Sequence, residues 1–164
     1  MRDLYTEQDL ASVRGQLKRR LLLLGLISAV LLVVIVLVLL SDNHKTNRPE
    51  ALVTGLVVVL GFTVVFFWDL LCRPLRCYAR HLNDALHGRS HEAEVEFCRP
   101  GGETSTVDGI VCSSLIFLGE ADKHGDRERL FYWDGQLQVP SFTPGAPFRV
   151  KYYDRFIVGY EALS

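Results

Sequence analysis

Two runs dominate the pattern of hydrophobic and polar positions, residues 21–40 and 51–68, and neither contains a charge. The first, LLLLGLISAVLLVVIVLVLL, has Ser28 as its most polar residue and shows no polar stripe. A buried helix of a water-soluble protein normally keeps one. A bilayer core about 30 Å thick is spanned by roughly 20 helical residues, so both runs are long enough to cross it. The second run is rich in β-branched residues, but an open strand leaves its backbone unpaired in lipid, so it too reads as a helix. The first run is too long for the core of a cleaved leader, and Val38 and Leu40 stand where small residues belong. The pattern therefore predicts a transmembrane hairpin, with spans at 21–40 and 51–72 joined by an external loop at 41–50.

The flanks set the expected orientation. Lys18, Arg19 and Arg20 precede the first span, and Arg73, Arg76 and Arg80 follow the second. The loop offers only Lys45 and Arg48. Basic residues stay on the cytoplasmic side, so both termini are expected there, against an anionic inner leaflet. Residues 1–20 read as a cytoplasmic amphipathic segment, with Thr6 and Asp9 as a capping pair and Leu10, Val13 and Leu17 on one face. Gly25 and Ala29 make a small pair that would let the two helices approach closely. Neither apolar run, 21–40 or 51–68, holds an Asp, Glu, Lys, Arg or His, which argues against an ion pathway within one chain.

Beyond the second span the periodicity is still helical. Pro74 suits a first turn and Gly88 an end, with Leu75, Tyr78, Ala79, Leu82 and Leu86 on one apolar face. Residues 73–90 thus form a juxtamembrane helix and hinge. From His91 the pattern alternates. Strands are expected at 92–97, at 106–119 with a bend at Gly109, at 130–133, at 148–153 and at 156–160. A turn is expected at 99–102, a polar loop at 121–127 and an irregular insert at 139–147. Five short strands predict a small all-β domain over 91–164, an OB-like or SH3-like barrel, with its eleven aromatics chiefly in the core.

Charge divides the chain. The whole carries −1, yet residues 91–164 hold seven Lys or Arg against twelve Asp or Glu, a balance of −5. Phosphate backbones need a basic surface, so nucleic acid is not expected as a partner. Successive strand residues face opposite ways. Of the aromatics, Tyr132, Trp133, Tyr152 and Tyr153 are therefore the candidates for an exposed surface suited to a protein partner.

Signatures of chemistry are sparse. Cys72, Cys77, Cys98 and Cys112 are separated by four, twenty and thirteen residues, unlike the paired spacing of zinc ribbons. His81, His87 and His91 read as part of a solvated linker. No nucleophile elbow, phosphate loop or dinucleotide fingerprint occurs. No catalytic, cofactor or metal residue is therefore assigned, and no enzyme activity is expected. The expected function is a non-catalytic interaction or scaffold module held at the membrane. The alternatives are a small-ligand sensor with its mouth near 134–147 and an accessory subunit of a larger membrane complex.

The run Pro144-Gly145-Ala146-Pro147-Phe148-Arg149-Val150, followed by Phe156-Ile157-Val158, resembles the barrel entry of NfeD-type membrane proteins. That family joins a multi-span anchor to an OB-like domain. The resemblance implies a scaffold or protease-partner role and carries no site residue. The chain departs from the family in having only two spans.

Overall fold

The protein's structure, a computed structural model, describes residues 1–41, 48–121 and 125–163, with side chains omitted at 48–50 and 103. The expected loop at 41–50 falls mostly outside the described residues, as does part of the polar loop at 121–127. The chain divides into two compact units. One is Val13–Arg76, and the other joins Met1–Ser12 to Cys77–Ser164.

Helix α1 runs unbroken over Glu7–Leu40. Its start is fixed by a reciprocal cap: the Thr6 amide donates to Asp9 Oδ2 at 2.9 Å, and the Asp9 amide donates to Thr6 Oγ1 at 3.3 Å. No break separates the amphipathic residues from the apolar run. α2 spans Arg48–Phe67, and a π-helical turn over Trp68–Cys72 leads directly into α3, Arg73–His87. The cause of the π turn is local. Pro74 has no N–H to give Leu70, and its ring would crowd that carbonyl; an extra residue in the turn relieves both. The Arg73 amide accordingly bonds back to the carbonyl of Trp68.

Both helices are long and apolar enough to cross a membrane. Their apolar side chains are largely uncovered, with Leu22 75%, Leu40 78% and Phe62 68% exposed. A methyl group added to Gly25 or Gly55 would meet no atom within 4 Å. Among the described residues, therefore, none makes the close approach expected at Gly25.

The second unit is a mixed sheet. Its six strands, among the described residues, are β1 (Arg2–Asp3), β2 (His91–Val107), β3 (Ile110–Leu118), β4 (Glu128–Asp134), β5 (Pro147–Tyr153) and β6 (Phe156–Ala162). The order is β1-β6-β4-β3-β2-β5, with a further pairing of β6 to β5. All pairings are antiparallel except β4 with β6, which meet in parallel at Tyr132 and Phe156.

Two expectations change here. The strand predicted over 106–119 is not bent at Gly109 but divided, because Asp108 (φ 52°) and Gly109 (φ 80°) form a two-residue hairpin turn. Both central residues of such a turn need positive φ, which an Asp-Gly pair supplies. Residues 99–102, expected as a turn, instead lie inside β2, where the register with β3 shifts between Phe97 and Arg99 and again between Pro100 and Thr104. These bulges let one strand pair with β5 by its first half and β3 by its second.

Alternation sends Val95, Phe97, Leu115, Phe117, Phe131, Trp133, Phe148, Val150 and Ile157 into one core. The irregular insert adds Phe142, whose ring lies 5.1–5.9 Å from those of Phe97, Phe117, Trp133, Phe148 and Tyr160. Phe142, within the stretch 134–147 where a ligand mouth is expected, is thus packed on this core. Phe117 is fully buried, so Phe117→Ala should destabilise this unit by about 3–5 kcal/mol. Urea titration of the full chain in detergent, followed by Trp133 emission in a Trp68→Phe background, measures this.

Candidate functional site

Asp134 ends β4 and is 1% exposed. An ionised carboxylate in such a place needs strong hydrogen-bond donors. Oδ1 accepts from the Gln136 amide at 2.9 Å, in the local turn that Asp-Gly favours. Oδ2 accepts from two phenols, Tyr78 at 2.7 Å and Tyr5 at 3.1 Å. Those phenols come from the two chain segments that flank Val13–Arg76 in sequence. Tyr5 precedes α1, while Tyr78 lies on the face of α3 that covers a small second core of Ile110, Cys112 and Phe156.

His81 completes the group. Its Nε2 lies 3.4 Å from the Tyr5 oxygen, and its ring packs against Phe156 with centroids 4.5 Å apart. With the Tyr5 hydrogen donated to Asp134, a hydrogen bond between the ring and the phenol oxygen is the one made by the tautomer that carries a hydrogen on Nε2. Burial first, then Asp134, pushes the Tyr5 phenol far above its ordinary range, and burial with the Asp134 bond does the same to Tyr78. Burial holds His81 below the usual imidazole value, against the opposing pull of Asp134, Asp84 and Asp108. These groups satisfy one another, which is the behaviour of a structural clasp.

Next to the clasp is a cleft of about 400 Å³. Asp84, Asp108 and Asp154 supply carboxylates, Arg80 the one cation among its lining residues, and Ile110 and Phe156 apolar wall. Gly109 and Gly88 permit the close packing at its edges. A methyl on Gly109 would lie 3.2 Å from Cys77 Sγ, and one on Gly88 would lie 2.6 Å from the Tyr153 ring. No group of three or more His, Cys, Asp or Glu side chains among the described residues is arranged to hold a metal ion.

The candidate aromatics separate on inspection. Trp133 is 1% exposed and donates its indole N–H to the Leu137 carbonyl at 3.2 Å. It belongs to the core, since its strand position faces inward beside Phe131, and is unavailable as surface. Tyr132, Tyr152 and Tyr153 are half-buried. Tyr132 packs on Phe156, Tyr152 on Phe131, and Tyr153 lines the cleft. The basic residues Lys18, Arg19, Arg20, Arg73, Arg76 and Arg80 are all exposed. Arg20 also donates to the Leu71 carbonyl in the π turn at 3.0 Å, and Arg73 pairs with Asp69 at 3.3 Å.

His81 is 7% exposed, which corrects its assignment to a solvated linker. The signal was present: on a helical wheel it falls beside Tyr78, Leu82 and Ala85 rather than beside His87. Tyr5 and Asp134 gave no such signal, since their partners lie far away in sequence.

Comparison with protein-family models, curated proteins and solved structures yields no match. The geometry alone therefore carries the functional argument.

Removing either phenolic hydroxyl takes a donor from a buried charge, and hydrogen bonds to charged groups contribute about 1.5–3 kcal/mol. Tyr5→Phe and Tyr78→Phe should each destabilise the β unit by about that amount. Because both act on one oxygen, their double-mutant cycle should depart from additivity by more than about 0.5 kcal/mol, as measured by chemical denaturation.

Proposed function

We propose that this chain is an integral membrane protein with both ends on the cytoplasmic side, presenting its β unit as a non-catalytic interaction module. The observation that carries this reading is the contrast between the two units. Two span-length helices leave their apolar side chains uncovered, while the β unit closes its own aromatic core. Water tolerates no such continuous apolar surface, whereas lipid requires it. The basic flanks favour the orientation.

The β unit is best described as an OB-like barrel. What supports this is the ring of pairings, β2 to β3 to β4 to β6 to β5 and back to β2, with its single parallel step between β4 and β6. The acidic balance of residues 91–164 favours a protein partner over a nucleic acid. The half-buried Tyr132, Tyr152 and Tyr153 are the proposed contact residues, without Trp133.

A cysteine replacing Ser41, in a background otherwise free of cysteine, should react with an impermeant maleimide on intact cells. One replacing Gln138 should react only after the membrane is opened. The reverse pattern overturns the orientation, and release of the chain by alkaline carbonate overturns the anchor. A photo-crosslinking residue at 132, 152 or 153 should give a discrete adduct in native membranes. Failure at all three positions counts against the interaction module.

A further inference from the structure

We propose that His81 is the trigger of an acid-sensitive latch, its neutral ring holding the segment Met1–Ser12 on the β unit and its protonation releasing that segment. The latch lies within one compact unit and does not rest on the membrane reading.

The segment has few other attachments. β1 contributes two residues, paired with Tyr160 and Gly159. The Leu4 amide adds one bond to the Val158 carbonyl at 2.9 Å, Asp3 meets Lys151 at 3.2 Å, the Met1 ammonium meets Glu161 at 3.3 Å, and the Leu4 side chain packs on the aromatic core. A strand this short is not stable alone. Tyr5 and Leu10, 6% and 2% exposed, are its buried anchors, and Tyr5 is gripped by Asp134 on one side and His81 on the other.

The proton balance decides the direction. In the tautomer whose Nε2 hydrogen faces Tyr5, a second proton goes to Nδ1 of a ring buried among Tyr5, Tyr78 and Phe156. Asp134 at the end of β4, Asp108 in the β2–β3 turn and Asp84 on the same helix favour the cation. Asp154 in the β5–β6 turn lines the same cleft, and Arg80 on α3 opposes them. Burial outweighs these carboxylates, so the latched ring binds a proton less readily than a released one. Release therefore takes up a proton. The latch is indifferent to pH above the ordinary imidazole range and loosens as the pH falls through about 6.5. On the other side of α3, His87 meets Glu7 of the first turn of α1 at 3.2 Å, with both side chains exposed.

Hydrogen exchange on the full chain in detergent tests the latch, with rates corrected for intrinsic pH dependence. Between pH 7.5 and 5.5, protection of the Leu4 and Leu10 amides should fall at least threefold, while Phe117 and Phe131 stay unchanged. His81→Gln, which keeps a donor for Tyr5 but cannot titrate, should abolish the dependence, and His87→Gln should preserve it. Wild-type protection that ignores pH overturns the proposal, as does a dependence that survives in His81→Gln. If that variant fails to fold, NMR titration of the wild-type His81 ring decides. A midpoint below that of an exposed histidine supports the latch, and one at or above it overturns it.

Discussion

The Asp134 carboxylate constrains everything around it. It is buried with its charge and held by two phenols and a backbone amide. Neutral donors spare the structure the desolvation of a second charge, but they must all be present, because a buried carboxylate that loses donors is costly. The phenols belong to residues that stand 129 and 56 positions away in the chain. They lie on opposite sides, in sequence, of the Val13–Arg76 unit. One oxygen atom thus demands that both chain segments flanking the apolar hairpin close on the same end of β4.

The aromatic core makes a different demand. The buried residues Val95, Phe117, Trp133, Val150 and the rest of this core come from β2 to β6, with Phe142 plugging the centre and Leu4 of the terminal segment packed against it. None of that burial needs Tyr5. The smaller core of Ile110, Cys112 and Phe156 needs Tyr78 as its cover. The β unit is therefore graded in cooperativity: a sheet core that sustains itself, a helix laid on one face, and a terminal segment secured by a few contacts. Segments of the last kind open well before the whole unit unfolds. A titrating group exerts most leverage where the opening free energy is small, and His81 sits at that boundary.

Much of this was legible in the sequence. Uncharged runs of span length, the Thr6–Asp9 cap and the alternation of β2 to β6 are signals confined to short windows, so periodicity finds them. Asp108-Gly109 was a local signal too, but the apolar residues on both sides made one bent strand seem sufficient. The bulges in β2 were not local, since they arise because one strand serves two partners. β1, with two residues, has no period to detect. The Tyr5–Asp134 bond has no trace in either neighbourhood, because tertiary packing alone unites them. His81 was hidden by its company in the sequence, where two other histidines stand nearby while its real neighbours lie around the helix.

A polar clasp at this position has a consequence that an apolar one would not. Three apolar side chains at 5, 78 and 134 would bury comparable area and spare the carboxylate its desolvation. They would also tolerate sliding, because apolar contact has no preferred angle. Two phenols converging on one oxygen at 2.7 and 3.1 Å admit a single alignment of the terminal segment and α3 on β4. The same choice makes the alignment sensitive to protons, since a hydrogen-bonded chain running from His81 through Tyr5 to Asp134 has a direction that a second imidazole proton disturbs. Specificity of docking and sensitivity to acid therefore come from one arrangement.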